Sequence, residues 1–178
     1  MRMTNELVVL KENKNPKRIG IDTSVIVNLI IKNIDIFKFR EKEFLGSDFL
    51  YYALRTKYEF KGVILNNFGF NKKEKNKLWK RAKNALKLNP IKIGKRDILQ
   101  DLDKARKANA ALIENVNPQF KVSYKIGAED IEIIANFLKW KISKVYTSDR
   151  AFYETCKVLE LKAKLIPISE YLDMKKRL

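Results

Sequence analysis

In 18-RIGIDTSVIVNLI-30 a short apolar run, 19-IGI-21, stops on Asp22, Thr23 and Ser24, and a second apolar run starts at once. The first run is brief and rich in isoleucine, as a buried strand is. The second, 24-SVIVNLIIKN-33, is longer and reads as a helix with Ser24 near its start. An acid therefore stands where a strand passes into a helix. In open parallel sheets, ligand sites gather at the carboxyl ends of strands. Aspartate is also a common helix N-cap. Taken alone, Asp22 is open to both readings.

Outward from this stretch, short β-like runs alternate with helical patterns. Residues 34–46 are mixed and charged. Residues 48-DFLYYALRTKY-58 read as a helix, with Asp48 suited to its first turn. Residues 62-GVIL-65 read as a second strand. A lysine-rich helix is expected over about 71–88, broken by Asn89-Pro90, and another over about 96–114. In 128-AEDIEIIANFLKWK-141, Ile131, Ile134 and Leu138 recur at helical spacing, and Ile142 continues the pattern. Then come a strand, 144-KVYT-147, a helix over about 150–161, a last strand, 163-AKLIPI-168, and a closing helix, 169-SEYLDMKKRL-178. This alternation predicts an α/β fold with a mostly parallel sheet covered on both faces. One domain is expected over residues 1–178, with the basic stretch of about 72–125 as a helical insertion.

The chain has 178 residues, 46% of them hydrophobic, enough for a real core. Its net charge of +17 points to a polyanionic partner, nucleic acid first. Thr4, Asn5 and Glu6 interrupt any leader-like run in 1-MRMTNELVVL-10, and the longest apolar run, 24-SVIVNLII-31, is too short to span a bilayer. A soluble, cytoplasmic protein without a membrane role is the expectation. Cys156 is the single cysteine, so an internal disulfide and a multi-cysteine zinc site are excluded. No histidine is present, which removes Ser-His-Asp and Cys-His catalysis and histidine-ligated zinc. No Walker loop or dinucleotide-binding glycine motif occurs. Chemistry is left to Asp, Glu, Lys, Ser, Thr and Tyr, and carboxylates without histidine favour hard cations such as Mg²⁺ or Mn²⁺.

Three acids share one edge of the expected sheet. Asp22 and Asp149 follow strands, and Asp130 lies in the first turn of the helix that leads back to the second of them. If the strands ending at Asp22 and Asp149 are neighbours, the three carboxylates converge. Crowded anions repel unless a cation neutralises them, and in so basic a chain that crowding points to a metal site.

The segments 21-IDTSVIVNLI-30, 127-GAEDIEIIANFL-138 and 147-TSDRAF-152 resemble the PIN-domain nucleases. In that family a strand ends in Asp-(Thr/Ser)-(Ser/Asn) before an apolar helix, a later helix carries Asp-x-x-Ile-x-Ala, and the next strand ends in Thr-x-Asp-x-x-Phe. Asp130, Ile133 and Ala135 fit the second pattern, and Thr147, Asp149 and Phe152 the third. The resemblance covers roughly residues 18–70 and 126–168. It implies a three-layer α/β/α sandwich, an acidic pocket for Mg²⁺ or Mn²⁺, and single-stranded RNA as substrate. Asp22, Asp130 and Asp149 would hold the metal, with Ser24 and Thr147 positioning acids or water. The family's glutamate, on the helix after the second strand, is expected within 62-GVILNNFGFNKKE-74. It falls on Asn71, with Glu74 one turn on as a substitute. A second departure is Ala151, where many relatives carry a fourth acid.

Within the basic segment, Lys72, Lys73, Lys77, Lys80 and Arg81, with Arg150 beside the acidic edge, are the candidate RNA-binding cations. Their plainer reading is a solvated lysine face. Trp79 and Phe70 suit base stacking, though core packing is the simpler reading for both. The resemblance allows two roles, the toxin of a toxin–antitoxin pair, with an antitoxin as protein partner, or an RNA-processing enzyme; PIN domains also often form homodimers. An inactive PIN-fold module that binds RNA or protein is the alternative. A phosphatase with an aspartyl nucleophile would need a second aspartate where Ser24 stands.

Overall fold

The computed structural model describes residues 16–46 and 48–174. The segment 1–10, considered above for a leader, lies outside them, as do residues 175–178. The described chain runs β1 (Arg18–Ile21), α1 (Thr23–Ile31), α2 (Ile36–Glu43), β2 (Phe49–Ala53), α3 (Leu54–Phe68), α4 (Lys72–Leu86), β3 (Asn89–Ile91), α5 (Leu99–Asn115), α6 (Ala128–Lys139), β4 (Lys144–Thr147), α7 (Arg150–Val158) and β5 (Ala163–Leu165). Short 3-10 segments lie at Lys95–Ile98, Pro118–Tyr124 and Ile168–Met174.

The five strands form one sheet in the order β3-β2-β1-β4-β5, and every pairing is parallel. Side chains alternate across it, so each face has its own core. Ile19, Ile21, Leu50, Tyr52 and Tyr146 pack with α1 to α4 on one face. Ala53, Ile91 and Val145 pack with α5, α6 and α7 on the other. This is the three-layer α/β/α sandwich of a PIN-like fold. Gly20 lies on the second face, where a Cβ would stand 3.0 Å from the ring of Phe137 on α6. Its missing side chain lets that helix lie close to the central strand.

Two sequence expectations fail between residues 48 and 68. The helix expected over 48–58 is β2 followed by the start of α3, and the strand expected at 62–65 lies inside α3. The chain passes from strand to helix without a turn residue. Ala53 itself is extended, at φ −69° and ψ 145°, and caps α3 without a side-chain hydrogen bond. Val63 and Ile64 resemble a strand in sequence, but Ile64 is simply a buried position on one helical face beside Phe60. The break expected at Asn89-Pro90 is the short strand β3 at the sheet edge, where a proline's missing N–H is tolerated. The closing helix is a 3-10 segment in its described part.

The segment of about 72–125 supplies elements to both layers and to the sheet. Trp79 of α4 is 5% exposed and meets Tyr52 and Phe60 at ring-centroid distances of 5.1 and 5.4 Å. It is a core residue, so it does not stack on a base. Among the described residues, no helix is long and apolar enough to cross a membrane.

Candidate active site

The site begins where β1 and β4 end side by side. Their register sets Ile21 opposite Tyr146, and the next N–H, of Asp22, donates to the Tyr146 carbonyl at 3.0 Å. Asp22 is 1% exposed and caps α1. Its carboxylate accepts from the Thr23 and Ser24 amides at 2.6 and 3.3 Å, from Ser24 Oγ at 2.5 Å and from Thr147 Oγ1 at 2.8 Å. Ser24 and Thr147 therefore do position an acid. They also tie the two strand ends together, since Ser24 Oγ accepts from the Ser148 amide at 2.8 Å and Thr147 Oγ1 from the Asp149 amide at 3.0 Å. Ser148 Oγ is buried beside them with no partner.

Asp149 caps α7, accepting from the Phe152 amide at 2.9 Å, and is exposed. Asp130 sits in the first turn of α6, accepting from the Gly127 amide at 3.1 Å. Each of the three acids thus keeps the plain helix-start role while facing the others. Burial first, then the charges of Asp22, Glu59 and Asp149, push the Asp130 carboxyl up to about 7. Burial and the Asp149 charge likewise raise Asp22, against its hydrogen bonds.

A fourth carboxylate completes the group, and it is neither Asn71 nor Glu74. Glu59 of α3 accepts from Thr23 Oγ1 at 2.6 Å. Burial, Asp22 and Glu129 raise its carboxyl. Since β2 is the second strand, α3 is the helix after it, and Glu59 holds the place where the glutamate was sought. Asn71 and Glu74 instead form a capping box on α4: Asn71 Oδ1 accepts from the Lys73 and Glu74 amides, and Glu74 Oε2 accepts from the Asn71 amide at 2.8 Å. Ala151 is 6% exposed and packs in the core between α5, α6 and α7.

Beside this edge Arg55 pairs with Glu129, whose carboxyl its own backbone N–H and Arg55 hold below the usual range. Lys72, Lys73, Lys77, Lys80 and Arg81 are exposed on α4, and Arg150 is exposed at the start of α7. None of them forms an ion pair with the four acids among the described residues. Cys156 is buried, and burial pushes its thiol far up, so it is not a nucleophile.

Carboxylate and hydroxyl oxygens are donors for a hard cation. Asp22, Glu59, Asp130 and Asp149 are the residues that can hold one. Among the described residues, no three carboxylates or thiols are drawn close enough to share an ion as they stand. Binding would require the acids to turn inward from their present hydrogen bonds.

No family model matches the chain, and no curated protein does. Among solved structures, the chain is similar to VapBC-1 from nontypeable Haemophilus influenzae, at 15% identity with a TM-score of 0.57, over 83% of this chain and 97% of that one. At that identity the likeness concerns the fold: it supports the PIN-like α/β/α arrangement that the strand order and the acidic edge describe.

Proposed function

We propose that the chain is a ribonuclease that hydrolyses phosphodiesters of single-stranded RNA with Mg²⁺ or Mn²⁺ held by Asp22, Glu59, Asp130 and Asp149. The observation that carries this reading is the gathering of those acids at one sheet edge, where Glu59 reaches Thr23 beside Asp22. Burial first, and the neighbouring acids after it, raise Asp22, Glu59 and Asp130. A cap or a helix dipole needs one acid at each helix start. Neither explains Glu59, which lies inside α3 and is turned toward Thr23.

A bound divalent ion supplies a nucleophile at neutral pH and offsets charge developing on the phosphate oxygens. The chain's own residues do the rest. Thr147 and Ser24 fix the Asp22 carboxylate, and Thr23 fixes Glu59. Asp130, raised to about 7 by burial and its neighbouring acids, would give up its proton as a cation binds. Arg150, exposed beside Asp149, and the cations of α4 attract the RNA backbone. The net charge of +17 supports a polyanionic substrate.

A missing glutamate and Ala151 would favour the inactive binding module; Glu59 offers a glutamate on the helix after the second strand, while Ala151 still leaves one acid fewer. A second observation favours that module: the acids as they stand do not form a ready ion site. Of the two enzyme roles, toxin and RNA processing, the likeness to VapBC-1 supports the first, with an antitoxin as partner. The test is cleavage of an unstructured RNA by wild type and Asp149→Asn, in Mn²⁺ and in EDTA. Cleavage only by wild type with Mn²⁺ supports the enzyme. Salt-sensitive binding with no cleavage above the variant's background leaves the binding module.

A further inference from the structure

A cavity of about 270 Å³ opens next to the acidic edge, between the first turns of α3, the residues after β3, and α6. Leu54, Ile91, Ile93 and Ile98 make its apolar wall. Glu132 and Asn136 of α6 reach it from one side, and Arg55 and Lys95 add positive charge. Tyr58 stands there 64% exposed, and Leu54 43% exposed, so the fold leaves an aromatic ring and an aliphatic side chain uncovered at the mouth. Arg55 Nε is buried without a partner, although the far end of the guanidinium pairs with Glu129.

The position of this cavity follows from the same two helices that build the acidic edge. Arg55 lies one turn before Glu59 on α3, about 6 Å along the axis at the usual helical rise. On α6, Glu129 pairs with Arg55 and is followed directly by Asp130, so Arg55 joins the cavity to the acidic edge. An RNA strand whose phosphate lies at the acids therefore has a neighbouring base within reach of the cavity. The volume is near the lower end for small-molecule sites, which suits one flat ring.

We propose that this cavity is a nucleobase subsite that receives the unpaired base next to the scissile phosphate. The proposal deepens the ribonuclease reading and rests on it for where the phosphate lies. Tyr58 stacks on the base, as aromatic side chains do in single-strand binding. Glu132 accepts hydrogen bonds from the base edge. That favours guanine, adenine and cytosine, which present amino groups, over uracil, whose edge sets two carbonyls around one N–H and meets a carboxylate with repulsion. Arg55 and Lys95 offset the flanking phosphate charge. Tyr58 and Glu132 are selectivity residues here, and the reacting atoms stay with the acids.

The test uses short fluorescent single-stranded RNAs that differ in one base, with wild type, Tyr58→Ala and Glu132→Gln. Affinity is measured in EDTA, and cut positions are mapped in Mn²⁺. Circular dichroism confirms that both variants fold. Tyr58→Ala should weaken binding about tenfold, in line with the loss of one stacked base. Glu132→Gln should leave overall affinity closer to wild type but reduce the preference against uracil beside the cut. If wild type cuts RNA and both variants match it in affinity and in cut positions, the subsite is wrong and the nuclease stands. If wild type cuts nothing but binds RNA through Tyr58, the nuclease falls and with it the place of the base beside a cut, leaving only a base-stacking site at Tyr58. A wild type that neither binds nor cuts RNA overturns both.

Discussion

Replacing Asp130 by asparagine should stabilise the metal-free protein at alkaline pH. Asparagine keeps an oxygen for the Gly127 amide, which donates to Asp130 Oδ2 at 3.1 Å. It removes a charge that burial and three neighbouring acids disfavour. The folded carboxyl titrates at about 7, against 3.8 for an unperturbed aspartate. Below 3.8 the acid is protonated in both folded and unfolded chains, and its raised pKa has no effect on stability. As pH rises toward 7 the unfolded chain releases its proton and the folded chain does not, so folding loses stability through that window. Above it the accumulated loss is roughly 4 kcal/mol, because each tenfold difference in proton affinity between the folded and unfolded chains is worth about 1.36 kcal/mol. Asp130→Asn should recover most of that, raising Tm by roughly 8 to 16 °C for a chain of this size. Differential scanning calorimetry in EDTA at about pH 8 and about pH 4 reads the effect, which should be large at the first and small at the second. Excess Mn²⁺ should shrink the difference by stabilising wild type. A variant no more stable than wild type at alkaline pH in EDTA would refute the claim that burial and the neighbouring acids disfavour a charge on Asp130.

The remaining predictions concern the placement of acids and the packing of the sheet. Glu59→Gln should lower Mn²⁺ affinity by more than about tenfold, since loss of even a group that only supports a ligand costs about that much. Asn71→Ala should leave that affinity alone and lose about 1 kcal/mol of stability as an N-cap does; calorimetric titration and denaturant melts separate the two effects. Gly20→Ala sets a Cβ 3.0 Å from the Phe137 ring, so it should destabilise by about 1–3 kcal/mol as overpacking does, read from the urea midpoint.

The sequence pattern is most legible where local and global signals agree. Residues 19–21 and 144–147 are brief apolar runs ended by Asp22 and Asp149, and both are strands whose ends meet. The helix from 128 shows its period through Ile131, Ile134 and Leu138. Reading failed where the chain changes structure without punctuation. Between Tyr52 and Leu54 a strand becomes a helix at one alanine, and Val63 and Ile64 then imitate a strand inside that helix. A second strand at 62–65 puts the glutamate's place at Asn71, whereas β2 at Phe49–Ala53 puts it at Glu59. One signal was available. The aromatic run 49-FLYYA-53 follows Gly46, Ser47 and Asp48, a turn-like cluster of the kind that bounds strands. Taken as the strand, it puts Glu59 in the second turn of the following helix. The cavity beside Tyr58 had no local signature, because it joins residues from α3, the β3 end and α6 that are far apart in sequence.

The most direct measurement is calorimetric titration of Mn²⁺ into the protein at neutral pH, for wild type and Asp22→Asn, in two buffers of different ionisation heat. Four acids that share one cation should bind one ion per chain with submillimolar affinity, and the buffer dependence should reveal protons released as the raised carboxyls give them up. Asp22→Asn should abolish that heat. No saturable binding, or binding unchanged in Asp22→Asn, would contradict the account and leave Asp22, Asp130 and Asp149 in their helix-start roles on a basic PIN-like scaffold.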